Sequence, residues 1–581
     1  MKRFFIVLIL LANTLAQAQT WQWGKRGGSD STIIDAQQLE RVYSIVTDSQ
    51  KNSYMLANIG KTTPDIDGVP KVNYGDDITI VDVALVSFAC DGSYRWSKMI
   101  SSAGVDRVPS LQLDAQDNVY VSGKFGGCAE NFYPLHIDED VVVDAPTQFT
   151  QDCSIIFIAK FSSAGVLQWF KRPQSSTIGN PGRSQTDMRG HVTDAQGNSY
   201  WLVLLPPCTI ANGAYTVAQA GFYLLHYDTL GTFVSATPID IQNLTLGVKL
   251  TRNPYNGLLY LYGGKGNSGA SNDYIGLGGQ ILTHAVFIAC FNLQGQLLWV
   301  REDTATVAGR ITLYNLAFDN ANNIYVGGRL NGLNSTNFLG LQIPGLYARG
   351  FVMKVNPDGT SLQWSSYNGG GADYTGGGLD MRGNEVGFAG LCFGNSFVWG
   401  NQTLTNISND NEGTRVLLAR FNKDTGTCLG LSYIPGTVGY DDWAGALAID
   451  SSGDYIIGGS FGYQLVLPTT TLQKVGGNTD FFIAKYSTSP CSPLATTQFE
   501  TKETIHLAPN PAKAYTDVAY NETLTSLQVV DMLGRTIATL PVTQQEGVTR
   551  IETASWAAGQ YVVLAKNGAQ VVKTMKLLIS N

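Results

Sequence analysis

The feature that most constrains this chain is a long-period repeat. One pattern recurs: an apolar stretch ending in Asp, a turn, a Tyr-rich stretch ending in Gly, a longer connection, a second apolar stretch, a second turn, and a stretch carrying Trp. Its first half reads Ile45-Val46-Thr47-Asp48 then Asn52-Ser53-Tyr54, Leu113-Asp114 then Asn118-Val119-Tyr120, and Val192-Thr193-Asp194 then Asn198-Ser199-Tyr200. It continues, more weakly, over 250–260, at Phe318-Asp319 with Ile324-Tyr325, at Leu379-Asp380 with Glu385-Val386, and at Ile449-Asp450 with Asp454-Tyr455, making seven copies. The second half is clearest at Phe157-Ile158-Ala159-Lys160-Phe161 with Gly165 and Trp169, and at Phe287-Ile288-Ala289-Cys290-Phe291 with Gly295 and Trp299. Later copies are Phe351-Val352-Met353-Lys354-Val355 with Gly359 and Trp364, and Phe482-Ile483-Ala484-Lys485-Tyr486. Six periods span the 402 residues from Asp48 to Asp450, so one unit averages 67. A unit of that length holding four short strands predicts one blade of a β-propeller. The 64 Gly, 27 Tyr and 24 Phe beside only 14% charged residues favour strands joined by tight turns over long solvated helices.

The seventh unit stops after its third strand, because Tyr486 is followed by Ser, Thr and Ser-Pro rather than by a Gly turn and a Trp strand. The missing strand is predicted at the other end of the chain, where Trp21-Gln22-Trp23-Gly24-Lys25 reads like Leu167-Gln168-Trp169-Phe170-Lys171. The expected fold is therefore all-β: a seven-bladed β-propeller over 19–490, closed by the N-terminal strand so that no sheet edge is left open. Successive strands of a blade run antiparallel, so the short Asp and Asn turns share one face. The long connections, among them 61–80, 128–153, 265–283, 331–349 and 394–414, share the other. Long loops on a rigid frame are the expected place for binding. The loop aromatics Tyr74, Tyr133, Tyr274, Tyr374, Tyr440 and Trp443 are the candidate ligand-binding residues, whereas the recurrent Trp96, Trp169, Trp299 and Trp364 are predicted to pack between blades.

The repeats resemble the SBBP-type β-propeller repeat, notably at Ser366-Tyr367-Asn368-Gly369-Gly370 followed by Asp373, Asp380 and Gly383-Asn384. That resemblance implies an extracellular propeller without implying one chemistry.

The first 18 residues read as a secretory signal, with Lys2 and Arg3 ahead of the apolar run 4–11 and a small-residue site at Ala16-Gln17-Ala18. That run is shorter than the roughly 20 residues a membrane-spanning helix needs, so no membrane span is predicted. Losing Lys2 and Arg3 takes the formal charge from -8 to -10 with no basic block, which argues against a nucleic-acid partner. Eight cysteines in an exported chain permit disulfides; Cys128 and Cys153, bracketing one long loop, are the candidate pair. Cys392 and Cys428, on the second and fourth strands of one blade, would stand about 9.5 Å apart, too far to be bridged.

After the repeats, 491–501 reads as a linker and 502–581 as a second, small Ig-like β-sandwich with alternating strands and closely spaced turns. The Pro509-Asn510-Pro511 opening, Val529-Val530-Asp531-Met532-Leu533-Gly534-Arg535, Ala558-Gly559-Gln560-Tyr561, and the ending Lys573-Thr574-Met575-Lys576 resemble the type A C-terminal sorting domain of type IX secretion cargo. The resemblance implies passage across the outer membrane, with release or surface attachment to follow, and assigns the sorting motif to Pro509, Asn510, Pro511, Gly534, Gly559, Tyr561 and Lys576. The implied partner is the type IX secretion machinery.

Three motifs point elsewhere and are set aside on physical grounds. Gly458-Gly459-Ser460-Phe461-Gly462 fits the serine-hydrolase elbow, which requires a strand-to-helix turn, and no helix follows. Gly264-Lys265-Gly266-Asn267-Ser268-Gly269 fits a dinucleotide loop that lacks the helix needed to receive a pyrophosphate. The Asp-x-x-Gly-Asn segments carry too few carboxylates per loop for calcium and suit turns; Asp76-Asp77 and Asp138-Glu139-Asp140 are better placed, yet read as solvated loop charge. Among five histidines no zinc spacing occurs, so no metal, cofactor or catalytic set is assigned. The leading reading is a binding or adhesion scaffold for a glycan, protein or matrix ligand. The rival is a secreted polysaccharide hydrolase or lyase using paired carboxylates near the channel.

Overall fold

The computed structural model describes residues 19–31, 39–74, 81–102, 107–125, 134–143, 155–173, 176–177, 187–244, 247–264, 274–284, 286–303, 311–330, 336–343, 349–369, 377–407, 413–437, 439–488, 491, 505–520, 523–532, 534–542, 547–568 and 570–580. Within them the chain is all β; a single turn of 3-10 helix at Ala211–Gly213 is the one helical element. The chain divides into two compact units, Met1–Cys491 and Ser492–Asn581. The expected signal peptide, 1–18, lies outside the described residues.

Among the described residues the first unit contains seven sheets built on four antiparallel strands, two of which, I and VII, are extended to six by a hairpin. Sheet I is built from Arg41–Thr47, Ser53–Gly60, Val81–Phe88 and Tyr94–Ser101, and sheet II from Arg107–Leu113, Val119–Phe125, Ile155–Phe161 and Leu167–Lys171. Sheet III holds Asp187–Thr193, Ser199–Leu205, Gly221–Tyr227 and Phe233–Ile239, and sheet IV Lys249–Arg252, Leu259–Gly264, Val286–Phe291 and Leu297–Glu302. Sheet V follows with Ile311–Phe318, Ile324–Leu330, Arg349–Val355 and Leu362–Tyr367, and sheet VI with Gly378–Arg382, Glu385–Cys392, Arg415–Asn422 and Cys428–Ile434. Sheet VII joins Trp443–Ile449, Tyr455–Phe461 and Asp480–Ser487 to the N-terminal strand Thr20–Gly28. In that last pairing Trp21 stands opposite Tyr486, Trp23 opposite Lys485, Gly24 opposite Ala484 and Lys25 opposite Ile483.

Burial explains why the inner strands read as continuous apolar runs. Every residue of Val81–Phe88, Tyr455–Phe461 and Asp480–Ser487 is buried, because each sheet packs face to face with a sheet on either side. Outer strands such as Leu167–Lys171 are only half-buried. The apolar cores lie between consecutive sheets: Tyr54, Leu56 and Leu85 of sheet I pack with Val119, Val121 and Phe157 of sheet II. The same holds through sheets VI and VII and then between VII and I, where Ile456, Phe481 and Ile483 meet Val42, Met55 and Ala84. First strands adjoin in the same succession, Arg41–Thr47 lying against both Arg107–Leu113 and Trp443–Ile449.

The outer strands are stitched to the next sheet by tryptophan. Trp23, Trp96, Trp169 and Trp364 donate their indole N–H to the carbonyls of Cys90, Ser163, Thr229 and Lys423, each in the turn between third and fourth strands of the following sheet. Gly165 in one such turn has φ 80°, and a Cβ there would fall 2.6 Å from the Trp96 ring. The repeated Gly and Trp are thus one device, a bare left-handed backbone accepting an indole face.

The long connections differ from their expected character as loops. Each second-to-third connection contains a short hairpin: Asp65–Ile66 with Val69–Pro70, Leu135–Ile137 with Val141–Val143, Cys208–Ile210 with Tyr215–Val217, and Ile275–Leu277 with Gln280–Leu282. The remaining three are Thr336–Phe338 with Leu341–Ile343, Ser396–Trp399 with Gln402–Thr405, and Gln464–Leu467 with Thr470–Gln473. Each hairpin clasps the end of the preceding sheet's outer strand, or the chain just beyond it. Much of the length assigned to loops therefore satisfies backbone hydrogen bonds between sheets.

The second unit is two antiparallel sheets. One is Ile505–Ala508, Tyr515–Tyr520 and Gly547–Glu552; the other is Thr536–Pro541, Ser526–Asp531, Gly559–Asn567 and Gln570–Ile579. Ile505, Val518, Leu527, Val529, Val563 and Leu577 form its core.

Candidate functional site

The repeated Asp, Asn, Tyr and Lys form structural hubs. Asp48, Asp114 and Asp319 each accept the backbone N–H groups two and four residues on, the Asn side chain four on, and the Tyr hydroxyl six on. Lys160, Lys354 and Lys485 add ion pairs at 3.5, 3.3 and 2.9 Å to Asp114, Asp319 and Asp450. The Tyr120 and Tyr325 hydroxyls reach on to Gly197 and Lys423 carbonyls of the next sheet. Burial pushes those hydroxyls up, with their Asp partners adding to it. With carboxylate lone pairs committed to the turn, the motif serves folding rather than cation binding. Among the described residues no group of three or more His, Cys, Asp or Glu is placed to hold a metal.

The hydrolase-like motif is likewise packing. Ser460 is buried inside the strand Tyr455–Phe461, paired with Trp443. Gly462 makes room for Tyr440, whose Cβ would stand 2.9 Å from a Cβ at 462. Of the dinucleotide-like motif only Gly264 is described, ending a strand.

The predicted loop aromatics separate into distinct environments. Tyr74 stacks on His136, with centroids 4.3 Å apart and planes at 14°. Burial, then the charges of Asp138, Glu139 and Asp140, push its hydroxyl up. Two of those acids are engaged: Lys98 pairs with Asp140 at 2.6 Å, and Asp138 accepts the Met99 N–H at 2.9 Å. Tyr274 is half-buried ahead of its hairpin. Trp443 is buried, with the Arg41 guanidinium 5.4 Å from its ring centroid, so it belongs to the frame. Tyr133, Tyr374, Asp76 and Asp77 lie outside the described residues.

Tyr440 is different. It is 42% exposed and stacks on Tyr463, 47% exposed, with centroids 5.3 Å apart and planes at 22°. Tyr463 sits between the strand Tyr455–Phe461 and the hairpin strand Gln464–Leu467, and sequence reasoning missed it because the two residues lie 23 apart and meet only through the fold. Rigid backbone holds the pair. The Gly462 N–H donates to Asp442 at 3.0 Å, the Thr414 hydroxyl to the Asp442 carbonyl at 2.9 Å, and Arg415 to the Tyr440 carbonyl at 3.3 Å. Asp442 is buried, and burial pushes its carboxyl up to about 7.

One cysteine pairing was not among those expected from sequence. Cys90 and Cys491 are disulfide-bonded across 401 residues, whereas Cys128 and Cys153 lie outside the described residues. Cys392 and Cys428 are buried and unbridged.

In the second unit the motif residues organise the fold's ends. Asn510 donates to the Lys576 carbonyl at 2.9 Å and accepts the Leu578 N–H at 2.8 Å, clamping the opening segment, with cis peptides at Pro509 and Pro511, to the last strand. Gly534, at φ 78°, closes the turn that Asp531 opens. The buried Tyr561 donates to the Ala557 carbonyl at 2.9 Å, and Gly559 starts its strand opposite Ile579.

Residues 506–580 match the secretion system C-terminal sorting domain family. A stretch of 96 residues is 31% identical to an uncharacterized WD repeat-containing protein of Acanthamoeba polyphaga mimivirus, spanning 16% of this chain and 7% of that one. Among solved structures, PorZ, an essential bacterial surface component of the type-IX secretion system of Porphyromonas gingivalis, is 10% identical with a TM-score of 0.27, covering 93% of this chain and 81% of its own. A protein of unknown function from Dyadobacter fermentans is 10% identical with a TM-score of 0.33, covering 79% of this chain and 98% of its own. An ulvan lyase of a new polysaccharide lyase family is 10% identical with a TM-score of 0.35, covering 76% and 93%. Among the described residues no helix is long and apolar enough to cross a membrane. The chain carries a type IX sorting domain that engages the secretion machinery and directs it across the outer membrane, to the cell surface or the extracellular space.

Proposed function

We propose that this exported protein is a binding scaffold: a seven-bladed β-propeller of the SBBP-repeat type, closed by its N-terminal strand, that presents an aromatic platform to a glycan. Support for the ring comes from seven successive sheets, each sharing an apolar core with the next, and from the core that sheets VII and I share in turn. The observation that carries the binding reading is the exposed Tyr440–Tyr463 stack. Two large aromatic rings left half in water on a rigid frame cost solvation that a ligand would recover, and flat ring faces suit the apolar face of a pyranose. Tyr74 beside His136 is a second, more enclosed aromatic position on the same kind of connection.

Glycan-array screening of the purified protein, with turnover assays on every hit, tests this reading. Tyr440→Ala and Tyr463→Ala should each weaken glycan binding about tenfold or more, a loss of about 1.4 kcal/mol, with melting temperature nearly unchanged. Cleavage of a polymer that the protein does not retain would favour the hydrolase or lyase alternative and overturn the proposal.

A further inference from the structure

A cleft of about 520 Å³ opens between sheets II and III, where the clasp differs from the others. Six of the seven hairpins grip the preceding outer strand within its last two residues or within three residues of its end: at Gly27 and Gly28, Ile100 and Ser101, Ile241 and Gln242, Asp303, Asn368, and Gly436. The hairpin of sheet III instead pairs with Ser176 and Thr177, although the outer strand of sheet II ends at Lys171. That clasp is set five residues beyond the strand's end, and the cleft opens beside it.

What lines the gap differs from the rest of an acidic molecule. Lys171 and Arg172 stand in its wall, and neither makes an ion pair among the described residues. The partly exposed Phe233 supplies aromatic surface, since Phe170 turns its ring to Phe157 in the core of sheets I and II and Tyr227 is 3% exposed, and Asn212 contributes an exposed amide from the hairpin turn, held at φ 55°. The chain as a whole carries a formal charge of -8, so two successive cations with no ion-pair partner among the described residues, both lining one concave site, are a local reversal of sign. The volume falls in the range of small-ligand sites, which pair apolar walls with a few polar groups.

We propose that this cleft binds an acidic saccharide, a polymer whose ring units carry carboxylate or sulfate. Guanidinium and ammonium groups bind both anions through charge-assisted hydrogen bonds, and the partly exposed Phe233 ring takes the apolar face of the sugar that bears them. A sugar acid presents these two features within one unit; an acidic peptide supplies the charge alone. The site is separate from Tyr440 and Tyr463 and does not depend on that reading.

The test is affinity electrophoresis of the full chain in gels containing polygalacturonate, dextran sulfate, neutral dextran or poly-glutamate. Retardation by polygalacturonate, by dextran sulfate, or by both is expected; it identifies the carboxylate or the sulfate as the preferred anion. Retention should weaken with added salt. Lys171→Glu with Arg172→Glu should abolish it, a drop of at least tenfold in affinity. Should the double variant fail to melt cooperatively, Arg172→Glu alone, at an exposed side chain, is read instead and should lose at least threefold. Equal retention of wild type and variant, no retention by either acidic polysaccharide, or equal retention by poly-glutamate would overturn the proposal.

Discussion

Sheet VII and the junction of sheets II and III are opposite solutions to the same assembly problem. In sheet VII the third and fourth strands come from opposite ends of the repeat region, so no turn joins them. The protein replaces that turn with interactions. Trp21 packs edge-on against Tyr486 at 5.1 Å, Trp23 donates to the Cys90 carbonyl at 3.0 Å, and Cys90 is disulfide-bonded to Cys491, four residues beyond the third strand. Lys485 pairs with Asp450 at 2.9 Å and Asp454 at 3.1 Å, while Arg26 holds Asp65 at 2.9 Å and Asp480 at 3.2 Å. Between sheets II and III the chain is continuous, the contacts are sparser, and a cleft opens beside the displaced clasp. Stabilising contacts gather where covalent continuity is missing, and a junction already held by the chain is free to open for a ligand.

The largest expected effect follows at sheet VII. Trp21→Ala with Trp23→Ala removes two nearly buried indoles at about 3–5 kcal/mol each and loosens the strand that covers an otherwise open edge. Urea denaturation should show a large fall in midpoint, and the same substitution at Trp169 alone should cost less. If the double variant unfolds at the wild-type midpoint, the N-terminal strand does not hold sheet VII together.

Much of this division was legible from sequence, for a physical reason. Asp48, Tyr54, Trp96 and their equivalents recur at fixed offsets because each copy solves the same turn and stitch, so repetition exposes the role. The hairpins were hidden because strands of two to four residues, such as Asp65–Ile66 or Ser396–Trp399, carry too little alternation to stand out from a loop. Cys90 with Cys491, Tyr440 with Tyr463, and the cleft at Lys171 depend on which segments the fold brings together, and no local pattern encodes that. Trp443 shows the converse: read as a loop aromatic, it begins the first strand of sheet VII and is buried beside the Arg41 guanidinium.

The acidic groups of the VII–I seam give a pH-dependent test of intermediate size. Glu40 is buried and accepts the Ser29 and Gly60 N–H groups at 3.1 and 2.5 Å. Burial, with Asp480 nearby, raises its carboxyl from 4.5 to about 8 against those hydrogen bonds. Asp480 is itself raised to about 6, by burial and by Asp65, while Arg26 and Lys474 oppose the shift. The folded carboxyl therefore keeps its proton where the unfolded chain has released it, so the unfolded state binds fewer protons between pH 4.5 and about 8. Stability from Glu40 is complete below 4.5 and is lost as pH rises through about 8. Melting temperatures across that window should decline for the wild type and decline less for Glu40→Gln, which cannot ionise. A parallel decline in both would assign the slope to other groups.

The smallest effect sharpens the comparison most, because it sets two lysines of one protein against each other. Lys485 is buried between Asp450 and Asp454, and a buried ion pair that loses one partner leaves an uncompensated charge. Lys171 stands in the wall of the II–III cleft with no carboxylate partner among the described residues, so Lys171→Ala strands nothing. Its unfolding free energy should lie within about 0.5 kcal/mol of wild type, measured by urea denaturation in low salt. A loss of about 2 kcal/mol or more would mean that Lys171 is part of the frame, as Lys485 is. The cleft would then be a packing defect bridged by a structural cation, rather than a site beside the displaced clasp that is open to an anionic ligand.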